Sequence, residues 1–278
     1  MIPPLVGRNM KKNRRHSIIT EDNVLQAVKM FRWVTRWILV LYFAGVAKKR
    51  IKALEAMLPD LEQEGRLFSE WHRGEKVYSM PRKEKVKPVS MDHEIACADI
   101  LVRLWRCRME EGEIVPERAF RSFGIVPENG IRYSEERNTM LIYEYESRKD
   151  FINHRGVIQS KLTRYKKYLP AMEAKFQRNI TVLFVIDIER NKVKEFVGRM
   201  EHVLNEPVFS GFDGSLEREV GSVADGDTSA LYGGDGFPSD PFFFTDYQTL
   251  KSVPIGEALT TKIYYWTDGN EWGLTNND

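Results

Sequence analysis

The residues from Pro127 to Leu169 constrain this chain most, because the periodicity of the sequence changes within them. Met140–Glu146 (MLIYEYE) alternates as a strand does, and GVIQSKLTRYKKYL then repeats at helical spacing. Residues i and i+2 of a strand point to the same side of a sheet, so Glu144 and Glu146 share a face. Glu128 lies upstream on a neighbouring strand segment, and Lys161 and Arg164 follow on the helix. Clustered acids beside a base suit metal-dependent cleavage of a phosphodiester. They equally describe a solvated or salt-bridged strand face.

At 278 residues the chain has room for two domains and a sizeable core. The net charge of +2 averages over a steep gradient. Residues 1–90 hold 19 Lys and Arg against 9 Asp and Glu, whereas residues 205–278 hold 3 against 13. A basic front is what a polyanion binder carries. The acidic rear reads as wet surface or as a segment that folds back on the basic face. Cys97 and Cys107 suit neither a disulfide nor a zinc site, which points to a reducing cytoplasm. The five histidines form no HExxH-type pattern. No signal peptide is expected, and Trp37–Val46, the most apolar run, is shorter than the ~20 residues that a bilayer span needs.

Residues 1–19 read as a disordered basic arm. Thr20 caps a helix with Glu21 and Asp22 in its first turn, and Thr35 caps a second helix over Arg36–Phe43. A third, Ala47–Leu58, buries Ile51, Leu54 and Leu58 and presents Lys48, Lys49, Arg50 and Lys52 on its other face; Pro59 predicts a kink or a new turn. Strands at Arg66–Trp71 and Lys76–Met80 flank a hairpin turn at His72–Glu75. Three short helices and a hairpin over residues 20–80 give the layout of a winged helix-turn-helix domain. Its third helix would read duplex DNA, with Arg73 and Lys76 on the wing.

Residues 81–91 read as a linker, and Asp92 as the cap of a helix to Met109. Strands follow at Arg118–Ile125, Gly130–Ser134 and Thr139–Glu146, with a turn at Glu135–Asn138. The Gly156–Leu169 helix stops at Pro170, Ile180–Ile186 is a buried parallel strand, and Asn191–Leu204 is a helix. The class is therefore α+β, with an α-β-β-β-α-β order over residues 92–204. In the remaining 205–278, Gly211–Ser239 is expected to be a mobile loop, and aromatic strands at Pro241–Leu250 and Lys262–Trp266 pack back on the domain.

That order, with acids at these places, resembles the PD-(D/E)xK (restriction-endonuclease-like) nuclease core. A winged helix followed by PENGIRY, LIYEYESR and KLTRYKKYL looks like the replication-relaxation family of plasmids and other mobile elements, over about Thr20 to Ile188. The resemblance implies a cytoplasmic, nucleoid- or plasmid-associated protein that binds double-stranded DNA and acts in replication, DNA relaxation or its control. A homodimer and replication or transfer proteins are further partners consistent with that role, and no membrane is. It does not bring a catalytic mechanism with it.

If the core cleaves DNA, Glu128 and Glu144, with Glu94 from the helix, would hold Mg²⁺, and Lys161 would supply the cation. Glu146 stands where the pattern needs a lysine, so Arg148 on the strand face, or Lys161 and Arg164 from the helix, must replace it. Glu128 stands where an Asp is usual. A Mg²⁺-dependent endonuclease, a degenerate nuclease fold kept for binding, and a winged-helix transcriptional regulator are the readings the residues leave open.

Overall fold

The short strand β1 (Trp33–Thr35), which the sequence pattern does not announce, closes the N-terminal sheet. It belongs to a computed structural model that describes residues 19–43, 48–81, 88–105, 113–133, 138–153, 155–205, 241–254, 256–266 and 270–274. The protein is mixed α/β and divides into two compact units, Met1–Val102 and Arg103–Asp278. The arm 1–18, the turn 134–137 and the loop 211–239 fall outside the described residues. Among those described, no helix is long and apolar enough to cross a membrane.

In the first unit, helix α1 (Glu21–Phe31) starts where Thr20 Oγ1 accepts from the Asn23 N–H at 3.3 Å. It stops where Arg32 turns to φ 66° and its N–H bonds Val28 O. Thr35 Oγ1 accepts from the Ile38 N–H and opens helix α2 (Arg36–Phe43), in which Ile38 to Phe43 are all buried. Helix α3 spans Lys48–Gln63 and continues through Pro59. The proline forfeits one backbone hydrogen bond, while Leu54, Leu58 and Leu61 are all fully buried on one side of the helix. Burying a leucine contributes about 1.5–3 kcal/mol, enough for three of them to carry the helix past the break.

Strands β2 (Phe68–His72) and β3 (Glu75–Ser79) meet at Arg73 and Gly74, with φ of 49° and 83°. Two positive φ angles make the tight turn whose twist matches a hairpin. β3 pairs with β1 on its other edge, so the sheet order is β1-β3-β2. Helix α4 (Pro88–Trp105) begins inside the expected linker, four residues before the expected cap at Asp92. Proline at a first helical position loses only a donor that was already unpartnered. Asp92 then lies within the helix, and Met91 packs against Trp33 and Val77. The division between the units accordingly falls late in α4, beyond the 81–91 segment.

The second unit holds one seven-stranded sheet in the order β10-β9-β8-β7-β6-β5-β4. Its strands are β4 (Glu113–Pro116), β5 (Asn129–Arg132), β6 (Thr139–Glu146), β7 (Asn179–Ile186), β8 (Phe242–Asp246), β9 (Tyr264–Tyr265) and β10 (Glu271–Trp272). β6, β7 and β8 run parallel and the other pairings are antiparallel. The strand expected at Arg118–Ile125 is instead two 3-10 turns, Glu117–Ala119 and Arg121–Phe123, closed by Gly124 at φ 65°. Phe120 is the residue buried between them, and one anchor in a turn is not the alternation of a strand.

Between β6 and β7 come α5 (Arg148–Asn153) and α6 (Arg155–Phe176), and α7 (Arg190–Asn205) follows β7. α6 passes the expected stop at Pro170 because its apolar face continues into fully buried Met172. Ile158, Leu162 and Tyr165 of α6, and Val193, Phe196 and Val197 of α7, share one core with Met140, Ile142, Val182, Phe184 and Phe244 of the sheet. The C-terminal segment is therefore no accessory to a finished 92–204 domain. β8 lies directly beside β7, with Phe184 and Phe244 stacked at 5.3 Å, and leads into α8 (Tyr247–Ser252).

Gly130 of β5 gives a direct check on this packing. A Cβ there would stand 2.8 Å from Cζ of buried Phe120. Gly130→Ala should lower the unfolding free energy by about 1–3 kcal/mol in urea denaturation, and an unchanged midpoint would contradict the packing of Phe120 against β5.

Candidate functional site

The alternation of β6 sends Met140, Ile142, Glu144 and Glu146 to the face covered by α6. Two hydrophobic residues and then two carboxylates follow one another toward the C-terminal end of the strand. Both acids are buried, Glu144 to 1% exposure and Glu146 to 5%. Helix α6 meets them with two donors one turn apart, Lys161 and Tyr165, on one side of the helix. Lys161 Nζ donates to Glu144 Oε2 at 2.8 Å and to Glu146 Oε1 at 2.6 Å. The Tyr165 hydroxyl donates to Glu144 Oε1 at 2.6 Å. Both oxygens of Glu144 are thus engaged by donors from one helix.

Burial pushes the Glu144 carboxyl above the usual carboxylate range, against the pull of Lys161 and Tyr165. Burial alone would pull Lys161 down, but the charges and hydrogen bonds of Glu144 and Glu146 outweigh it and hold the ammonium above its ordinary value. A pKa raised by folding gives stability that is complete below the unfolded value and is lost only as pH rises through the folded one. The Lys161 contribution is therefore fully present at neutral pH. Burial, and then the charge of Glu144, push the Tyr165 phenol well above its normal range, so it stays a proton donor.

Glu128 precedes β5, and its N–H bonds Tyr143 O at 3.2 Å, which sets it next to Glu144 across the strand pair. It is half-buried, and its charge raises both Glu144 and Tyr165. Of the predicted trio, Glu144 and Lys161 are in contact and Glu128 acts electrostatically on Glu144. Arg148 does not lie on the strand face: it opens α5 and is exposed, as is Arg164 of α6, because the strand ends at Glu146 and the chain turns into a helix. Lys161 is the cation that reaches the acids. Glu94 is paired with Arg32 at 2.9 Å within the first unit. Tyr165 was legible only as an apolar core position; its spacing of four from Lys161 was the signal that both face one strand.

A second polar centre was not foreseen. Asp246, buried at the end of β8, caps α8 by accepting from the Thr249 N–H at 2.7 Å and pairs with Arg190 at 3.3 Å. Arg190 also donates to Glu271 at 2.9 Å and lies 4.8 Å from the centre of the Tyr265 ring, so one guanidinium ties β8, β9 and β10 together.

In the first unit, Arg50 and Lys52 of α3 are exposed, while the side chains of Lys48 and Lys49 lie outside the described residues. On the hairpin, the Arg73 side chain is 76% exposed and reaches Asp92 at 2.6 Å, which also bonds His72 at 2.6 Å. Lys76 is committed to Glu62 at 2.6 Å. The β2–β3 hairpin is therefore braced to α3 and α4 by its own cations.

Two substitutions separate the parts of the acid centre. Tyr165→Phe leaves a buried carboxylate oxygen without its donor and should cost about 1–3 kcal/mol in chemical denaturation. Lys161→Met strips the cation from two buried acids and should cost about 3–5 kcal/mol. Equal and negligible effects would mean that the acids are solvated. Comparison of the chain with protein-family models, curated proteins and solved structures gives no match.

Proposed function

We propose that this chain is a duplex-DNA-binding protein of a plasmid or other mobile element, acting in replication, DNA relaxation or its control. The observation that carries the reading is the order α1-β1-α2-α3-β2-β3 with a β1-β3-β2 sheet. That order supports a winged helix-turn-helix reading, in which the third helix would enter the major groove and the hairpin would approach the backbone. The exposed Arg50 and Lys52 on α3 and the exposed Trp71 on the hairpin support it, and Arg73, although paired with Asp92, keeps most of its side chain exposed there. Lys48 and Lys49 complete the basic run in sequence.

The β4-β5-β6-α5-α6-β7 order of the second unit, with Glu128 entering β5 and Glu144 on β6, supports a PD-(D/E)xK-like core there. Its donor set does not fit the divalent cation that such nucleases hold. Both Glu144 oxygens and one Glu146 oxygen already accept from Lys161 and Tyr165. The unit is accordingly a binding or assembly scaffold and not a cleaving one.

Fluorescence anisotropy with labelled duplex DNA at several salt concentrations tests the reading. The logarithm of affinity should fall linearly with that of salt, by about 0.9 for each phosphate neutralised. Lys48→Ala/Lys49→Ala/Lys52→Ala should weaken binding at least about tenfold and flatten that slope by up to about 2.7. Salt-independent binding that ignores the triple variant would sink the proposal. Supercoiled plasmid incubated with the protein and Mg²⁺ or Mn²⁺ should stay intact, whereas nicking abolished by Glu144→Gln would make the core an endonuclease.

A further inference from the structure

The misfit between the acid centre and a metal leads to a role for Lys161 of its own. We infer that the Lys161 ammonium is a built-in counter-cation: it occupies the position between Glu144 and Glu146 where a divalent ion would sit, and so makes the second unit independent of metal.

The geometry carries this. Glu144 and Glu146 stand two apart on one face of β6, and Lys161 Nζ bridges Oε2 of the first and Oε1 of the second at 2.8 and 2.6 Å. A hard divalent cation would take the same oxygens at about 2.0–2.6 Å, so the ammonium fills that place with each oxygen no more than about 0.8 Å farther out. The lysine comes from α6, which is locked into the core by Ile158, Leu162 and Tyr165 on either side of it. Displacing its head group would require either moving that helix or leaving a charge without a partner in the interior.

Charge balance points the same way. With Glu144, Glu146 and the neighbouring Glu128 ionised, one ammonium leaves a local charge of −2, and a divalent ion in place of the lysine would bring it to −1. The site thus tolerates the lysine but would take a metal if the lysine were gone. Tyr165 would remain as a donor to Glu144 Oε1 and hold the carboxylate in place. The charges and hydrogen bonds of the two acids hold Lys161 in its charged form.

Thermal melts of the full chain, with EDTA or with millimolar Mg²⁺, Mn²⁺ or Ca²⁺, test the inference, whether or not the chain binds DNA. The wild-type midpoint should be the same in all four. Lys161→Ala should melt several degrees lower in EDTA, recover at least half of the loss in one of the divalent ions, and take up that ion at a single site in calorimetry. Lys161→Ala/Glu146→Gln, which removes one acid with the lysine, should fold without metal and lose the metal response. It also serves if the single variant is insoluble, since refolding of Lys161→Ala in Mn²⁺ but not in EDTA is then the supporting result. Three outcomes overturn the inference: a wild-type midpoint that rises with a divalent ion, a Lys161→Ala variant unaffected by every ion, or a double variant that responds as the single one does.

Discussion

Two carboxylates buried at the end of one strand are the constraint on which the second unit depends. Removing such groups from water costs several kcal/mol each, and their mutual repulsion adds to it. The fold meets that cost with a single helix. α6 must therefore sit over β6 at one height and one rotation, because Lys161 and Tyr165 reach Glu144 only from there. The same placement brings Ile158 and Leu162 into one core with Met140 and Ile142. Polar register and apolar packing specify one arrangement, and a helix slipped by one turn would lose both. That agreement across levels is what singles out a unique fold.

Much of this was legible because it is periodic. β6 and α2 were read over the residues they occupy, and the Thr20 cap of α1 and the parallel character of β7 were read too, since each has a cap, a clear repeat or an apolar run to mark it. The prolines misled in a consistent direction. At Pro59 the local rule predicts a kink or a new turn and at Pro170 it ends the helix, yet burial of Leu61 and Met172 beyond them carries both helices on, a long-range gain that no local window contains. At Pro88 the error was the converse, a helix start taken for part of a linker. β1 was invisible because three residues cannot display a period; its existence depends on β3 being there to pair with it.

The acid centre shows the same division. Spacing alone placed Glu144 and Glu146 on one face and Lys161 on the following helix. It could not show that Arg148 turns away as α5 begins, nor that Tyr165 points its hydroxyl at Glu144 instead of only filling the core. The basic character of the N-terminal third also needs relocating. Residues 20–80 hold ten Lys and Arg against eight Asp and Glu, so most of the excess lies in sequence at residues 1–19 and 82–87. Within that body, Arg73 and Lys76 are already balanced by Asp92 and Glu62. Any polyanion bound to residues 20–80 would meet a nearly neutral frame carrying a few exposed cations on α3.

The position of β8 bears on how such a chain can be made. β7 ends at Ile186 and its parallel neighbour begins at Phe242, so the second edge of the central strand stays open until more than fifty further residues have left the ribosome. During that interval the apolar side chains of Phe184 and Val182 have no cover on that edge, whereas the first unit already has every strand of its own sheet. Closing a loop of this length carries an entropy cost that the stacked phenylalanines repay only at the end. The nascent protein therefore passes through a stage with one finished unit and one unsealed sheet, the stage at which holding chaperones, or neighbouring copies of the same unpaired edge, have their opportunity.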